Sequence, residues 1–132
     1  MGEPAEPRAR ILLAEDYDDA RQMYVELLEY RGFEVVAARD GQEALDYAAR
    51  ERFDLVILDI ALPKVDGVTV IKTLRSRSET KSVPIISLSA LVGEEMHQAI
   101  VAAGADLALD KPCTPDELEA AVTALLAAKA HG

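Results

Sequence analysis

Five residues of this sequence stand where chemistry can be done: Glu15, Asp16, Asp59, Ser89 and Lys111. Each ends or follows a short apolar run. Arg10-Ile-Leu-Leu-Ala14 stops at Glu15-Asp16, and Leu55-Val-Ile-Leu58 stops at Asp59. Pro84-Ile-Ile-Ser-Leu88 stops at Ser89, and Leu107-Ala-Leu109 leads through Asp110 into Lys111. A surface aspartate is ordinarily just solvated, but an acid that ends a buried strand needs a reason. Three carboxylates drawn together repel one another and raise each other's pKa unless a cation joins them. A hard divalent ion such as magnesium suits that set, because it takes oxygen ligands, needs few protein carboxylates and keeps several waters. Lys111 adds a positive charge and Ser89 a hydroxyl donor. Such a site accepts further negative oxygens. Phosphoryl chemistry is the natural candidate, with one carboxylate as nucleophile and the metal and lysine neutralising the transferred group.

These residues can meet only if the elements carrying them are parallel. Short apolar runs of three to five residues read as strands of a buried sheet, at Arg10–Ala14, Glu34–Ala38, Leu55–Leu58, Pro84–Leu88 and Leu107–Leu109. Helical spacing lies between them. Residues 19–31 place Ala20, Met23, Tyr24, Leu27 and Leu28 inward, with Asp18 or Asp19 as the cap and Gly32 as the stop. Residues 42–51 turn Ala44, Leu45 and Ala48 inward after an Asp40-Gly41 turn; Asp66-Gly67 marks another turn before a helix over 68–76. A helix over 94–103 ends at Gly104, and Pro115 opens a last one with Leu118, Ala121, Val122, Leu125 and Leu126 inward. Five strands alternating with five helices predict a doubly wound α/β domain with a parallel sheet covered on both faces. Ligands of such folds bind beyond the carboxyl ends of the strands, where the five chemical residues lie.

Composition narrows the partners. The 132 residues suit one domain, and half of them are hydrophobic. Residues 1–9 read as a flexible lead-in and 10–130 as the domain. With 14 lysines and arginines against 24 acids, the formal net charge of −10 argues against nucleic acid or an anionic membrane. The first half of the chain carries most of that excess. A single cysteine, Cys113, excludes an internal disulfide and a cysteine-rich zinc site. No secretory signal or spanning segment is visible, so a soluble protein of a reducing cytoplasm is the simplest expectation.

Four stretches in order, ILLAEDYDDAR, DLVILDIALPKVDG, VPIISLSA and GADLALDKP, resemble the receiver domains of bacterial two-component response regulators. The resemblance covers residues from about 9 to 130 and implies the flavodoxin-like (βα)5 receiver fold, a five-stranded parallel sheet in the order 2-1-3-4-5. It implies Asp59 as phosphoacceptor, attacking a phosphoryl group carried by a phosphohistidine on a sensor histidine kinase or histidine phosphotransfer protein. It makes Asp16 a direct magnesium ligand with Asp59, Glu15 a helper through water, and the backbone carbonyl of Ala61 the third protein ligand. Manganese would serve in magnesium's place. Lys111 would pair with Asp59 at rest and with phosphoryl oxygens afterwards, while Ser89 would hydrogen-bond the new group. The Lys111–Pro112 bond is expected to be cis. No enzymatic activity beyond self-phosphorylation and autodephosphorylation is implied. The downstream partner would be a protein meeting the face of the fourth helix, fifth strand and fifth helix.

The blander assignments are made beside these. Asp18 and Asp19 read as caps, not ligands, and His97 and His131 as surface residues. Cys113 reads as a small, partly buried side chain. Ala61 and Leu91 flank the site where the family tunes hydrolysis. The sequence departs from the family at Ala108, where many receivers carry an aromatic ring; signalling would then need the Ser89 loop, the start of the fourth helix, or a partner filling the space. No output domain follows the last helix, so the expectation is a stand-alone switch or relay acting through protein contact. A receiver excised from a hybrid kinase and a pseudo-receiver that binds without phosphorylation are the alternatives. A phosphatase is disfavoured because Ala61 stands where a second acid is wanted. A flavin carrier is disfavoured because residues 15–19 would repel a phosphate.

Overall fold

The structure is a computed structural model and describes residues 8–90 and 93–131, with side chains as far as Lys129. Strands and helices alternate: β1 (Arg10–Ala14), α1 (Asp18–Tyr30), β2 (Glu34–Ala38), α2 (Gly41–Arg50), β3 (Leu55–Asp59), α3 (Gly67–Ser76), β4 (Ile85–Ser89), α4 (Glu94–Ala103), β5 (Leu107–Asp110) and α5 (Pro115–His131). All strand pairings are parallel, in the order β2-β1-β3-β4-β5. The expected doubly wound sheet is present. Its central strands β3 and β4 are buried along their whole length, as their uninterrupted apolar runs require.

The two-residue period of a strand sorts its side chains onto the two faces of the sheet. Ile11, Leu13, Leu55, Ile57, Ile86 and Leu88 pack with Tyr24 and Leu28 of α1 and with Leu118 and Val122 of α5. Leu12, Ala14, Val56, Leu58 and Ile85 face the other way, against α2, α3 and α4. Burying each such Leu or Ile contributes about 1.5–3 kcal/mol relative to exposure. Two cores, one on each face, therefore fix the register of every strand.

Three expectations need correction. Met23 is 49% exposed, because α1 buries the narrow stripe of Tyr24 and Leu28 and the preceding residue lies about 100° further round the helix. Neither Asp18 nor Asp19 caps α1; the N-cap is Tyr17, without a side-chain cap bond, and both acids sit in the first turn near the positive end of the helix dipole. Asp40 and Asp66, assigned to turns, are the N-caps of α2 and α3, accepting from the amides of Glu43 at 2.8 Å and Thr69 at 3.0 Å. The same short acid that favours a turn also satisfies an orphan amide of the first helical turn.

One buried polar atom has no counterpart. Ser87 of β4 is fully buried, yet its Oγ has no hydrogen-bond partner among the described residues. An unmet hydroxyl costs about 1–3 kcal/mol, which offsets the small packing loss of removing it. Ser87→Ala is therefore expected to leave stability unchanged or raise it by about 1 kcal/mol. A urea denaturation midpoint lower than wild type would contradict this.

Candidate functional site

The strand period also builds the site. Glu15 continues the parity of Ile11 and Leu13, Asp59 that of Leu55 and Ile57, and Lys111 that of Leu107 and Leu109, all on the α1/α5 side. Their polar ends meet just past the carboxyl edge of the sheet. The Lys111 Nζ donates to Glu15 Oε1 at 2.7 Å and to Asp59 Oδ2 at 2.5 Å. Side-chain exposure is 1% for Glu15 and 8% for Asp59, against 21% for the lysine. Asp16, next along the chain, is exposed at the mouth of the cluster. Ser89 lies on the opposite parity, at the α3/α4 side of β4, and its carbonyl accepts from the Lys111 amide at 2.9 Å.

The connections around the cluster are short and tightly held. Beyond Asp59 the chain turns back, so that the Ala61 amide donates to Asp59 Oδ1 at 2.9 Å. The Ile60 amide bonds to Leu88 O at 3.0 Å and the Gly67 amide to Ile60 O at 2.9 Å. A Cβ on Gly67 would lie 2.6 Å from the Asp59 carbonyl oxygen and 2.5 Å from the Ile60 Cα. A Cβ on Gly41 would lie 1.7 Å from Val65 O, so α2 can dock against the segment after β3 only through glycine. The Lys111–Pro112 peptide is cis, as expected.

The electrostatics are unbalanced. One carboxylate oxygen from each of Glu15, Asp16 and Asp59 falls within 4.8 Å of the others. At that spacing each like-charge pair repels by about 3 kcal/mol for an effective dielectric near 20. A single ammonium faces three carboxylates. Burial pushes the Glu15 carboxyl up, further than the hydrogen bonds from Lys111 and the Tyr17 amide pull it down. Burial pulls Lys111 down, but its bonds to Asp59 and Glu15 outweigh this and hold the ammonium above its ordinary value. The remaining negative charge and the all-oxygen donor set fit a hard divalent cation, with Asp16 open to solvent for a partly hydrated ion.

The structure thus brings together Glu15, Asp16, Asp59 and Lys111, with Ser89 and Ala61 beside them. His97 is exposed on α4, and Cys113 is buried in the core on the α1/α5 side. Leu91 and the His131 side chain lie outside the described residues. Ala108 pairs with Ser87 across β4 and β5 and is half-buried against the α3/α4 core.

Two neighbours were not singled out from sequence. Arg21 of α1 donates from Nη1 to Glu15 O at 3.1 Å and Asp16 O at 3.4 Å, and from Nη2 to Asp18 Oδ1 at 2.5 Å. Its position in the first turns of the helix that follows the acid pair was the available signal. Tyr24, read as a core residue, is buried on the same side. Burial pushes its phenol above the ordinary value, Lys111 draws it down, and Glu15, Cys113 and Asp59 push it up.

A family model described as the response regulator receiver domain matches residues 11–123. The chain belongs to that family. The receiver domain is 40% identical over 120 residues to the transcriptional activator protein PfeR of Pseudomonas aeruginosa, covering 91% of this chain and 38% of that protein. It is 39% identical over 117 residues to the response regulator MprA of Mycolicibacterium vanbaalenii, covering 89% of this chain and 50% of that one. It therefore spans half or less of the length of these curated relatives. Among solved structures it superposes on the chemotaxis response regulator CheY4 of Vibrio cholerae with a TM-score of 0.86 and 34% identity, covering 90% of this chain and 99% of that one. No helix among the described residues is long and apolar enough to cross a membrane.

Two outcomes follow for the receiver domain. Gly67→Ala forces the Asp59–Ile60 backbone to move and is expected to destabilise the fold by about 1–3 kcal/mol. An unchanged denaturation midpoint would show that the segment yields freely. The neutral phenol of Tyr24 is the form the fold favours, so its contribution is present below pH 10.0 and lost as pH rises through its higher folded value. Tyr24→Phe should remove a late phenolate signal from an absorbance titration and weaken the alkaline loss of stability.

Proposed function

We propose that this receiver domain accepts a phosphoryl group on Asp59 in a magnesium-dependent reaction and signals by phosphorylation-dependent contact with another protein or by onward transfer. The observation that supports this best is the hold on the Asp59 carboxylate. One oxygen is bonded to Lys111 Nζ and the other to the Ala61 amide, at the open edge of a cluster short of positive charge. The residues fit magnesium or manganese, which would be held by Asp16 and Asp59 with the Ala61 carbonyl, and by Glu15 through water. That ion supplies neutralisation of the phosphoryl oxygens as charge shifts towards them.

The chain's own residues account for the rest. Asp59 attacks phosphorus as the bond to the donor's imidazole nitrogen breaks; the nitrogen leaves with the electron pair and takes a proton. Lys111 keeps its charge throughout, because its folded value lies above the ordinary one, and can pass from the Asp59 oxygen to a phosphoryl oxygen. Ser89, on the α4 side of the edge, offers its hydroxyl to the new group and couples it to the loop leading into α4. Binding then biases two pre-existing arrangements of that surface.

Receiver domains act with histidine kinases and downstream targets. For this chain we propose a sensor histidine kinase or histidine phosphotransfer protein as donor and the α4–β5–α5 face as the output surface. A cytoplasmic site of action is implied. No catalytic turnover of an external substrate is proposed beyond the domain's own phosphorylation and dephosphorylation. A magnesium ion is coordinated in the active-site cleft of the receiver domain of sensor histidine kinase PA1611 from Pseudomonas aeruginosa, which is 28% identical with a TM-score of 0.86. That parallel supports the metal assignment.

Incubation with magnesium and a small amidophosphate donor, followed by intact mass measurement, tests the reading. One phosphoryl group should be added to wild type, none to Asp59→Asn, and none after chelation of the metal. Equal labelling of wild type and Asp59→Asn would overturn the assignment.

A further inference from the structure

The segment that carries Glu15 and Asp16 is short and has few fastenings of its own. β1 ends at Ala14 and α1 begins at Asp18, so three residues make the whole connection. The helix start offers no side-chain cap. Within the segment, the Tyr17 amide donates to Glu15 Oε2 at 3.2 Å and the Arg21 amide to Tyr17 O at 2.9 Å. The first of these holds the Asp16–Tyr17 peptide through its N–H, but neither reaches the Glu15–Asp16 peptide, the other plane beside Asp16. Those planes decide where the Asp16 carboxylate points.

Arg21 supplies that constraint. One nitrogen of its guanidinium is shared between the carbonyl oxygens of Glu15 and Asp16, and the other grips Asp18. The side chain is only 17% exposed, although Asp18, its ion-pair partner, is 84% exposed. A planar fork with donors in fixed directions can hold two carbonyls and a carboxylate at once. An ammonium on a flexible stem has rotatable donors and imposes no such fixed directions.

We infer that Arg21 is a positioning residue for metal binding, holding the Glu15–Asp16 backbone so that both carboxylates converge with Asp59. This rests on the proposed function, in that it takes the acidic cluster to hold a divalent ion. It also makes a prediction whose sign differs from that of simple electrostatics. Arg21 is a cation beside a cation site, and removing it leaves Asp18 without its ion-pair partner. On charge alone, Arg21→Ala should bind magnesium as tightly as wild type or more tightly. If Arg21 positions the ligands, the same substitution must weaken binding.

Titration of the full chain with magnesium alone, by calorimetry, separates the two, alongside thermal midpoints measured with chelator. Arg21→Ala is expected to raise the magnesium dissociation constant at least threefold. Arg21→Lys should recover most of the thermal midpoint while its dissociation constant stays at least threefold above wild type. A smaller change or tighter binding in Arg21→Ala overturns the inference, and so does affinity restored by Arg21→Lys. Should Arg21→Ala fail to fold, Arg21→Lys and Arg21→Gln decide by the same threshold. Asp16→Asn serves as the control on the underlying reading. If it binds magnesium as wild type does, the cluster is not the metal site and the proposed function fails first, independently of Arg21.

Discussion

Two nearly buried carboxylates share one ammonium, and the architecture around them serves to make that tolerable. Glu15 and Asp59 are drawn out of water by the ends of β1 and β3, while Lys111 reaches them from the end of β5. Breaking such a contact by removing one partner leaves an uncompensated buried charge, which typically costs about 3–5 kcal/mol. The apolar strands below, the glycine-dependent packing of α2 and α3, and the bond between the Ser89 carbonyl and the Lys111 amide all keep these charges in register. What the arrangement leaves unsatisfied is the surplus of negative charge, and that surplus is what suits the edge to a divalent cation.

The site also divides its work between the two faces of the sheet. The ionic contact of Glu15, Asp59 and Lys111 follows the parity of the α1/α5 core, whereas Ser89, Ser87 and Ala108 follow that of the α2/α3/α4 core. Charge is held on one side and a hydroxyl is presented on the other. Beneath Ser89, the α3/α4 side contains an unmet hydroxyl and a small side chain, Ser87 opposite Ala108. A bulky ring cannot swing there from Ala108, so any rearrangement on that side must use backbone or neighbouring helices.

The order of elements, the parallel sheet and the residues at its carboxyl edge were legible from apolar runs ending abruptly in charged residues. Strand ends are readable in this way because the apolar run stops where the first carboxylate appears, as at Ala14-Glu15 and Leu58-Asp59, even though both carboxylates stay buried. Helix starts were less so. Asp18, Asp19, Asp40 and Asp66 all suit turns, caps and first helical turns alike, and only the backbone angles separate these states. Met23 was misplaced because a helical stripe two residues wide per two turns is narrower than its apolar residues suggest. Arg21 was passed over for a different reason. Two of its partners are carbonyl oxygens, which have no signature in a sequence, and only its place in the first turns after the acid pair pointed to it.

Lys111 and Glu15 are 96 positions apart in the chain, and Lys111 and Asp59 are 52 apart. During synthesis both acids emerge well before the lysine that joins them. Until β5 emerges and docks against β4, a nascent chain holding β1 and β3 side by side must keep two carboxylates apart, protonated or joined by another cation. The ionic contact of Glu15, Asp59 and Lys111 therefore comes into existence with the last strand, and an incompletely translated domain cannot form it.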